Sequence, residues 1–371
     1  MQANRTRQFQ RTLVLLCVLL TVASFGAWAQ GTESSSASSA PYRQRAALGI
    51  QHLQSWYDPA TGLYRTTGWW NSANAITTLA DYSLVTGDKQ YESVFPNVLF
   101  TAQHTGAGFL NNFYDDEGWW ALAWIDVYDL THQQRYLQMA ASIFEDMAKG
   151  WDDTCSGGIW WSKDRKYKNA IANELFLSVA AHLVARSKNK RQRAQYLDWA
   201  QREWQWFSHA GMINASDQIN DGLDAKCANN HQTTWSYNQG VILGGLSELY
   251  KHTHDQTLLS EANAIAAATL TSSTLTDAHG ILHDPCEPDC GGDGTQFKGI
   301  FVRNLALLYK VAPSPSYKSF VEANEGSIWE EMQGSGYGIG TRWDAPYGAI
   351  NASTQSSGDD VLVSAVSMQA Q

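Results

Sequence analysis

The chain has 371 residues, a net charge of −10, 16 Trp and 5 Cys. Such acidity argues against nucleic acid or an anionic membrane as partner, and a neutral ligand suits the Trp-rich composition better.

Arg5, Arg7 and Arg11 precede the apolar run 12–27, and Ala27-Trp28-Ala29 reads as a cleavage signal. Residues 1–29 are therefore expected to be a secretory signal peptide, whose removal makes the mature chain three charges more acidic. Residues 30–41 are Ser-rich and read as a short disordered lead-in. No second linker interrupts 42–371, which reads as a single domain. Its last residues, 366–371, form no hydrophobic tail of the kind a GPI signal requires. The expectation is a secreted, extracellular monomer without a membrane anchor.

Along the domain one pattern recurs: an apolar helix, a short polar turn, then a one-sided helix. Apolar segments begin near Asn71, Asp115, Asn169, Asn238, Lys298 and Asp359. Candidate outer helices lie at 45–57, 91–102, 136–151, 193–207, 258–270 and 317–332. In 136–151 the apolar residues Tyr136, Met139, Ala140, Ile143, Phe144 and Met147 follow the 3-4 spacing of a helix with one wet face. The first members are apolar on more than one side, as buried helices are. Six buried helices wrapped by six amphipathic ones predict an all-α (α/α)₆ toroid. Strands are not expected beyond brief pairing at 280–284.

In this arrangement the N-termini of the inner helices gather at one end. The loops 103–114, 152–167, 208–236, 271–296 and 333–357 lead to them. Asp115-Asp116 sits there, at the start of an apolar helix carrying Trp119, Trp120 and Trp124. Acidic residues often cap helices, but two adjacent Asp with Glu117, beneath Tyr114, exceed what capping needs. Paired carboxylates beside aromatic rings suit glycoside cleavage: the acids break the bond and the rings hold sugar faces. Retaining enzymes keep the two carboxyls ~5–5.5 Å apart, which neighbouring side chains can reach. Inverting enzymes need roughly 6.5–9.5 Å. Carboxyls that close repel, so one of them should hold a proton. Candidate sugar contacts at the same end are Trp69, Trp70, Asn71, Tyr114, Trp120, Asp221, Trp235, Tyr237, Asn238, Gln239 and Lys298. Trp160 and Trp161 are further candidate platforms. Asp359-Asp360, a second acidic pair, reads mainly as a helix cap.

Removing Cys17 with the leader leaves Cys155, Cys227, Cys286 and Cys290, an even set in an oxidising compartment. Cys286 and Cys290 would close a tight loop, leaving Cys155 to pair with Cys227. The spacing lacks the paired C-x-x-C units of a zinc site. Asn214 and Asn351 stand in glycosylation sequons, expected on surface loops. No H-E-x-x-H or G-x-S-x-G motif is present, so metal catalysis and esterase chemistry are not expected, and no cofactor is implied.

Six stretches in order resemble glycoside hydrolase family 76, the endo-α-1,6-mannanases and their fungal cell-wall relatives. They are Tyr114-Asp115-Asp116 with 119–124; Gly157-Gly158-Ile159-Trp160-Trp161; Lys168-Asn169-Ala170 with Asn173-Glu174-Leu175; Asn220-Asp221-Gly222-Leu223; 234–240 around Tyr237-Asn238-Gln239; and Phe297-Lys298-Gly299-Ile300-Phe301. The resemblance covers about 45–365. It implies an (α/α)₆ fold, no metal, retaining cleavage of α-1,6-mannosyl linkages, Asp115 as nucleophile and Asp116 as general acid/base. Two other outcomes fit the same residues. One is a transglycosidase moving mannosyl chains onto an acceptor glycan, the other a non-catalytic mannan-binding module. An enzyme for anionic uronates would want cationic groups and is disfavoured by the charge.

Overall fold

The computed structural model describes residues 30–103, 108–344 and 348–369. The leader assigned to 1–29 lies outside them. Twelve α-helices are present among the described residues. The inner set is α2 (Trp69–Thr86), α4 (Tyr114–Thr131), α6 (Ala170–Arg186), α8 (Ser236–Thr253), α10 (Phe297–Val311) and α12 (Ala352–Gln369). The outer set is α1 (Gln30–Gln54), α3 (Val94–Thr101), α5 (Gln134–Met147), α7 (Lys190–Phe207), α9 (Gln256–Thr271) and α11 (Pro315–Met332). Each inner helix packs on the next, α12 returns to α2, and α1 covers α12. The ring is the (α/α)₆ toroid that the two-layer pattern predicts. The only ladder among the described residues is a hairpin of β1 (Tyr57–Asp58) and β2 (Leu63–Tyr64). Thr276 and Leu282 form an isolated bridge in the 271–296 loop.

Burial separates the layers as composition requires. Every residue of α6 from Ala170 to Val184 is buried, whereas α5 buries Tyr136, Leu137, Ala140, Ile143, Phe144, Asp146 and Met147 on one side. Where inner helices touch, small residues let the backbones approach. A Cβ on Gly299 of α10 would lie 2.3 Å from the Ser357 carbonyl oxygen of α12.

That close packing corrects one expectation. The last inner helix starts at Ala352, two turns before Asp359. The Ser- and Gly-rich run 353–358 reads as a loop in sequence, yet it is small because it presses against α10. Asp359 and Asp360 are therefore mid-helix and fully buried, not caps. Asp360 accepts from Thr78 (2.7 Å) and pairs with Arg303 (3.0 Å), which also bonds Asn74 of α2. At the other extremity, α1 extends back through the Ser-rich stretch that the sequence sets apart from the domain.

Two disulfides join Cys155 to Cys227 and Cys286 to Cys290. Asn214 lies half-buried in a loop, its Oδ1 accepting from the amides of Ser216 and Gln218. Asn351 caps α12 by accepting from the amides of Ser353 and Thr354. No described helix is long and apolar enough to cross a membrane.

Candidate active site

The inner N-termini surround a cavity of ≈ 380 Å³ lined by Trp70, Phe113, Asp115, Asp116, Trp119, Trp161, Tyr167, Asn169, Asp221, Tyr237, Asp293 and Phe297. Four carboxylates and seven aromatic rings line it, and no Lys or Arg.

Local pairing places these groups. The loop before α4 runs beside 159–163: Tyr114 N–H donates to the Trp161 carbonyl (2.9 Å) and Lys163 N–H to the Asn112 carbonyl (2.9 Å). Trp161 is thereby set across the start of α4, where its indole Nε1 donates to Asp115 Oδ2 (2.9 Å). The other oxygen, Oδ1, is buried with no hydrogen-bond partner among the described residues. Asp116 Oδ2 accepts from Asn111 Nδ2 (2.6 Å), and Asn111 Oδ1 accepts from the Phe113 amide (2.8 Å), fixing the turn into the helix. Burial, then repulsion from Asp116, pushes the Asp115 carboxyl well above the usual carboxylate range. Burial also raises Asp116, to about 6, against the lowering effect of Asn111. Behind the pair, Glu117 is fully buried and paired with Lys163 at 2.8 Å; burial still lifts it to about 7.

The opposite wall is built by a second backbone crossing. Ala170 N–H donates to the Asp221 carbonyl (2.8 Å) and Leu223 N–H to the Lys168 carbonyl (3.0 Å). Gly222 is needed between them, since a Cβ there would sit 2.8 Å from Asn169 Cα and 2.5 Å from the Tyr167 hydroxyl. Asp221 Oδ2 accepts from that hydroxyl (2.5 Å), and burial raises its pKa. Trp70 stacks on Trp119 at 5.7 Å between centroids and donates to Asp293 Oδ1 (2.9 Å). Tyr237 stacks on Phe297 at 3.8 Å. These rings offer apolar faces rimmed by acceptors, a surface that binds sugar by stacking and by hydrogen bonds from its hydroxyls.

Of the residues singled out by sequence, Trp70, Asp115, Asp116, Trp161, Asp221 and Tyr237 meet in this cleft. The others do not line it. Trp120 is fully buried, packed on Phe109 and Trp124, and Trp69 lies over it with its Nε1 donating to the Ala102 carbonyl. Asn71 is buried, accepting from the Gly68 amide and donating to Gln296. Tyr114 is buried beside Gly150. Trp235 backs the wall edge-on to Phe297 at 5.6 Å. Gln239 is turned inward to hold both backbone polar groups of Ile219 (2.8 and 2.9 Å), and Asn238 is fully buried beside it. Lys298 is buried with Glu287 at 2.7 Å, its ammonium 4.2 Å over the Trp343 ring. The common reason is helical phase: consecutive residues at a helix start point 100° apart, so a run of polar or aromatic residues serves cleft, core and loop in turn. Asp293 was hidden in a Gly-rich loop that reads as a bare turn. Its place just before α10, at the end of the ring where the inner helices start, is the signal that could have found it. No group of three or more His, Cys, Asp or Glu among the described residues is arranged to hold a metal ion.

A helical toroid with adjacent acids in an aromatic cleft at one end defines the class of (α/α)₆ carbohydrate-active proteins. The glycosyl hydrolase family 76 model matches residues 42–369, and the chain belongs to that family. Over 318 residues it is 27% identical to the mannan endo-1,6-alpha-mannosidase DFG5 of Candida albicans, covering 76% of this chain and 69% of that protein. Among solved structures, the Lin0763 protein of Listeria innocua superposes with a TM-score of 0.79 at 26% identity, covering 88% of this chain and 97% of that one. An inactive variant of the α-1,6-mannanase GH76A of Salegentibacter sp. HEL1_6 has two adjacent aspartates changed to asparagine and was solved with α-1,6-mannotriose. It superposes with a TM-score of 0.78 at 23% identity, covering 88% of this chain and 99% of that one. At that identity the likeness concerns the fold.

Proposed function

We propose that this family 76 protein is a secreted, endo-acting, retaining α-1,6-mannanase. The observation that carries the reading is the Asp115-Asp116 pair at the start of α4, in a cleft with stacked rings and no cation. Acids without a counter-ion repel anionic sugars and suit a neutral polysaccharide. The names of the relatives point to α-1,6-mannan as that polysaccharide, and the two disulfides suit an extracellular site.

In the first step Asp116 gives its proton to the glycosidic oxygen while an oxygen of Asp115 attacks the anomeric carbon. The bond to the leaving chain breaks, and a glycosyl ester forms on Asp115. In the second step Asp116, now a base, takes a proton from water, whose oxygen displaces the ester and restores both carboxyls. The Trp161 N–H stabilises the anionic form of Asp115 that the first step needs. Burial pushes both carboxyls upward, so the pair holds a proton for the first step. In this reading that proton is on Asp116 and Asp115 is ionised when the bond breaks.

The test is release of reducing ends from debranched α-1,6-mannan by wild type and by Asp115→Asn and Asp116→Asn, with NMR of the first product. Retained α-configuration from wild type and loss of release in both variants are expected. Mannan left intact by wild type, or a β-anomer as first product, would overturn the reading. An added acceptor oligosaccharide that captures the mannosyl chain in place of water would redirect it to transglycosylation.

A further inference from the structure

The far side of Tyr167 opens into a second cavity of ≈ 470 Å³, whose lining includes Trp160, Lys166, Asn230 and Gln232. Tyr167 lines both spaces and bonds across the divide: its hydroxyl donates to Asp221 in the cleft and accepts from Asn230 Nδ2 (2.9 Å) on the other side. The trough then shares Leu223 and the Cys155–Cys227 disulfide with a wider depression of ≈ 930 Å³. The cleft and the trough thus adjoin at Tyr167, which lines both.

Its base is rigid. The buried Lys168 ammonium donates to the carbonyls of Thr154 (2.7 Å), Gly157 (2.7 Å) and Gly158 (2.9 Å), stapling the loop, and lies 4.9 Å from the centre of the Trp160 ring. The Trp160 indole is fixed by its own bond to Asp152 Oδ2 (2.7 Å). Lys166 and Gln232 are exposed, and their side chains make no hydrogen bond to described residues. Anchored indole beside free ammonium and amide groups is the surface a hexose ring with several hydroxyls recognises.

We propose that this trough binds further mannosyl units of the chain whose bond lies at Asp115 and Asp116, making the protein selective for long substrates. The inference rests on the mannanase reading given above and adds to it a length requirement and the residues that impose it. Preorganised walls lower the ordering penalty of a long flexible ligand, so each added contact is felt as affinity.

The experiment is calorimetric titration of the Asp115→Asn/Asp116→Asn protein with linear α-1,6-mannotriose and α-1,6-mannohexaose, repeated with Lys166→Ala/Gln232→Ala added. The hexaose should bind about tenfold tighter than the triose, as loss of one or two hydrogen bonds implies, and the added changes should bring that ratio near one. Both substituted side chains are exposed, and a thermal melt verifies folding. Triose binding with no gain for hexaose, or a gain that survives Lys166→Ala/Gln232→Ala, would overturn the trough and leave the mannanase reading standing. Binding of neither sugar would bring down both.

Discussion

Two clusters of acids, one at each end of the toroid, treat charge in opposite ways. At the cleft end Asp115, Asp116, Asp221 and Asp293 line one cavity without a cation, and burial pushes three of them upward. At the far end, near the C-termini of the inner helices, Asp129 and Glu248 share cationic partners, while burial raises Asp81 and Asp126 beside them. Arg186 reaches Asp129 (2.8 Å) and Glu248 (3.1 Å), and Lys251 adds 2.6 Å to Glu248. Burial acts to raise Glu248, but the surrounding positive charges outweigh it and hold that carboxyl at about 2. The Asp129–Glu248 cluster is compensated for stability; the cleft leaves its acids without cations, as functional sites commonly do at some loss of stability.

The sharpest way to separate the ends is to neutralise one acid at the cleft. Asp115→Asn or Asp116→Asn should lower kcat/KM on mannan about 10⁴-fold while leaving the melting temperature at pH 7 equal or higher. A variant that lost activity only by unfolding would erase the contrast. Removing a partner at the far end should do the reverse. Arg186→Ala strands Asp129, leaves Glu248 with Lys251 alone and should destabilise by roughly 3 kcal/mol in denaturant titration, with kcat unchanged.

Acid should split the ends further. The folded pKa of Asp116 is raised to about 6, so its contribution to stability is present below the unfolded value of about 3.9 and is lost as pH rises through 6. Glu248 is lowered to about 2, so its contribution is present above about 4.3 and is lost as pH falls through 2. Melting curves from pH 3 to 8 should therefore show Asp116→Asn gaining on wild type toward neutrality, by ~1–3 kcal/mol, and Glu248→Gln losing to it over the same range. The same titration gives kcat/KM an acid limb near 6, below which the pair carries two protons. Flat activity from pH 4 to 8 would contradict it. The smallest expected effect is that of Trp161→Phe, which keeps a ring but removes the N–H to Asp115. It should reduce kcat about tenfold with KM little changed.

Much of this arrangement could be read from the chain. Alternating buried and one-sided helices gave the toroid, because burial on several sides leaves a compositional mark that one-faced packing does not. The acidic pair stood out because charge at the head of an apolar helix is expensive without a purpose. What stayed hidden depends on angles that composition does not encode. Trp119 faces the cleft and Trp120 the core, although they are neighbours of identical chemistry. Gln239 and Asn238 look like sugar readers, yet Gln239 ties down the Ile219 backbone and both are sealed from solvent. The start of α12 was concealed by its serines, which signal a loop locally and a close helix contact only once α10 is beside them.

The ring is fastened by its most distant pieces. Gln355 of α12 donates to the Gly49 carbonyl of α1 (3.2 Å), and Asp360 supplies the anion for Arg303 of α10. During synthesis, then, an emerging chain can stack its first five hairpins but holds an open edge, with Arg303 unmatched, until the final helix has left the ribosome. Escape from aggregation should hinge on that last docking event, and protease nicking within α12 should undo the whole circle rather than trim its end.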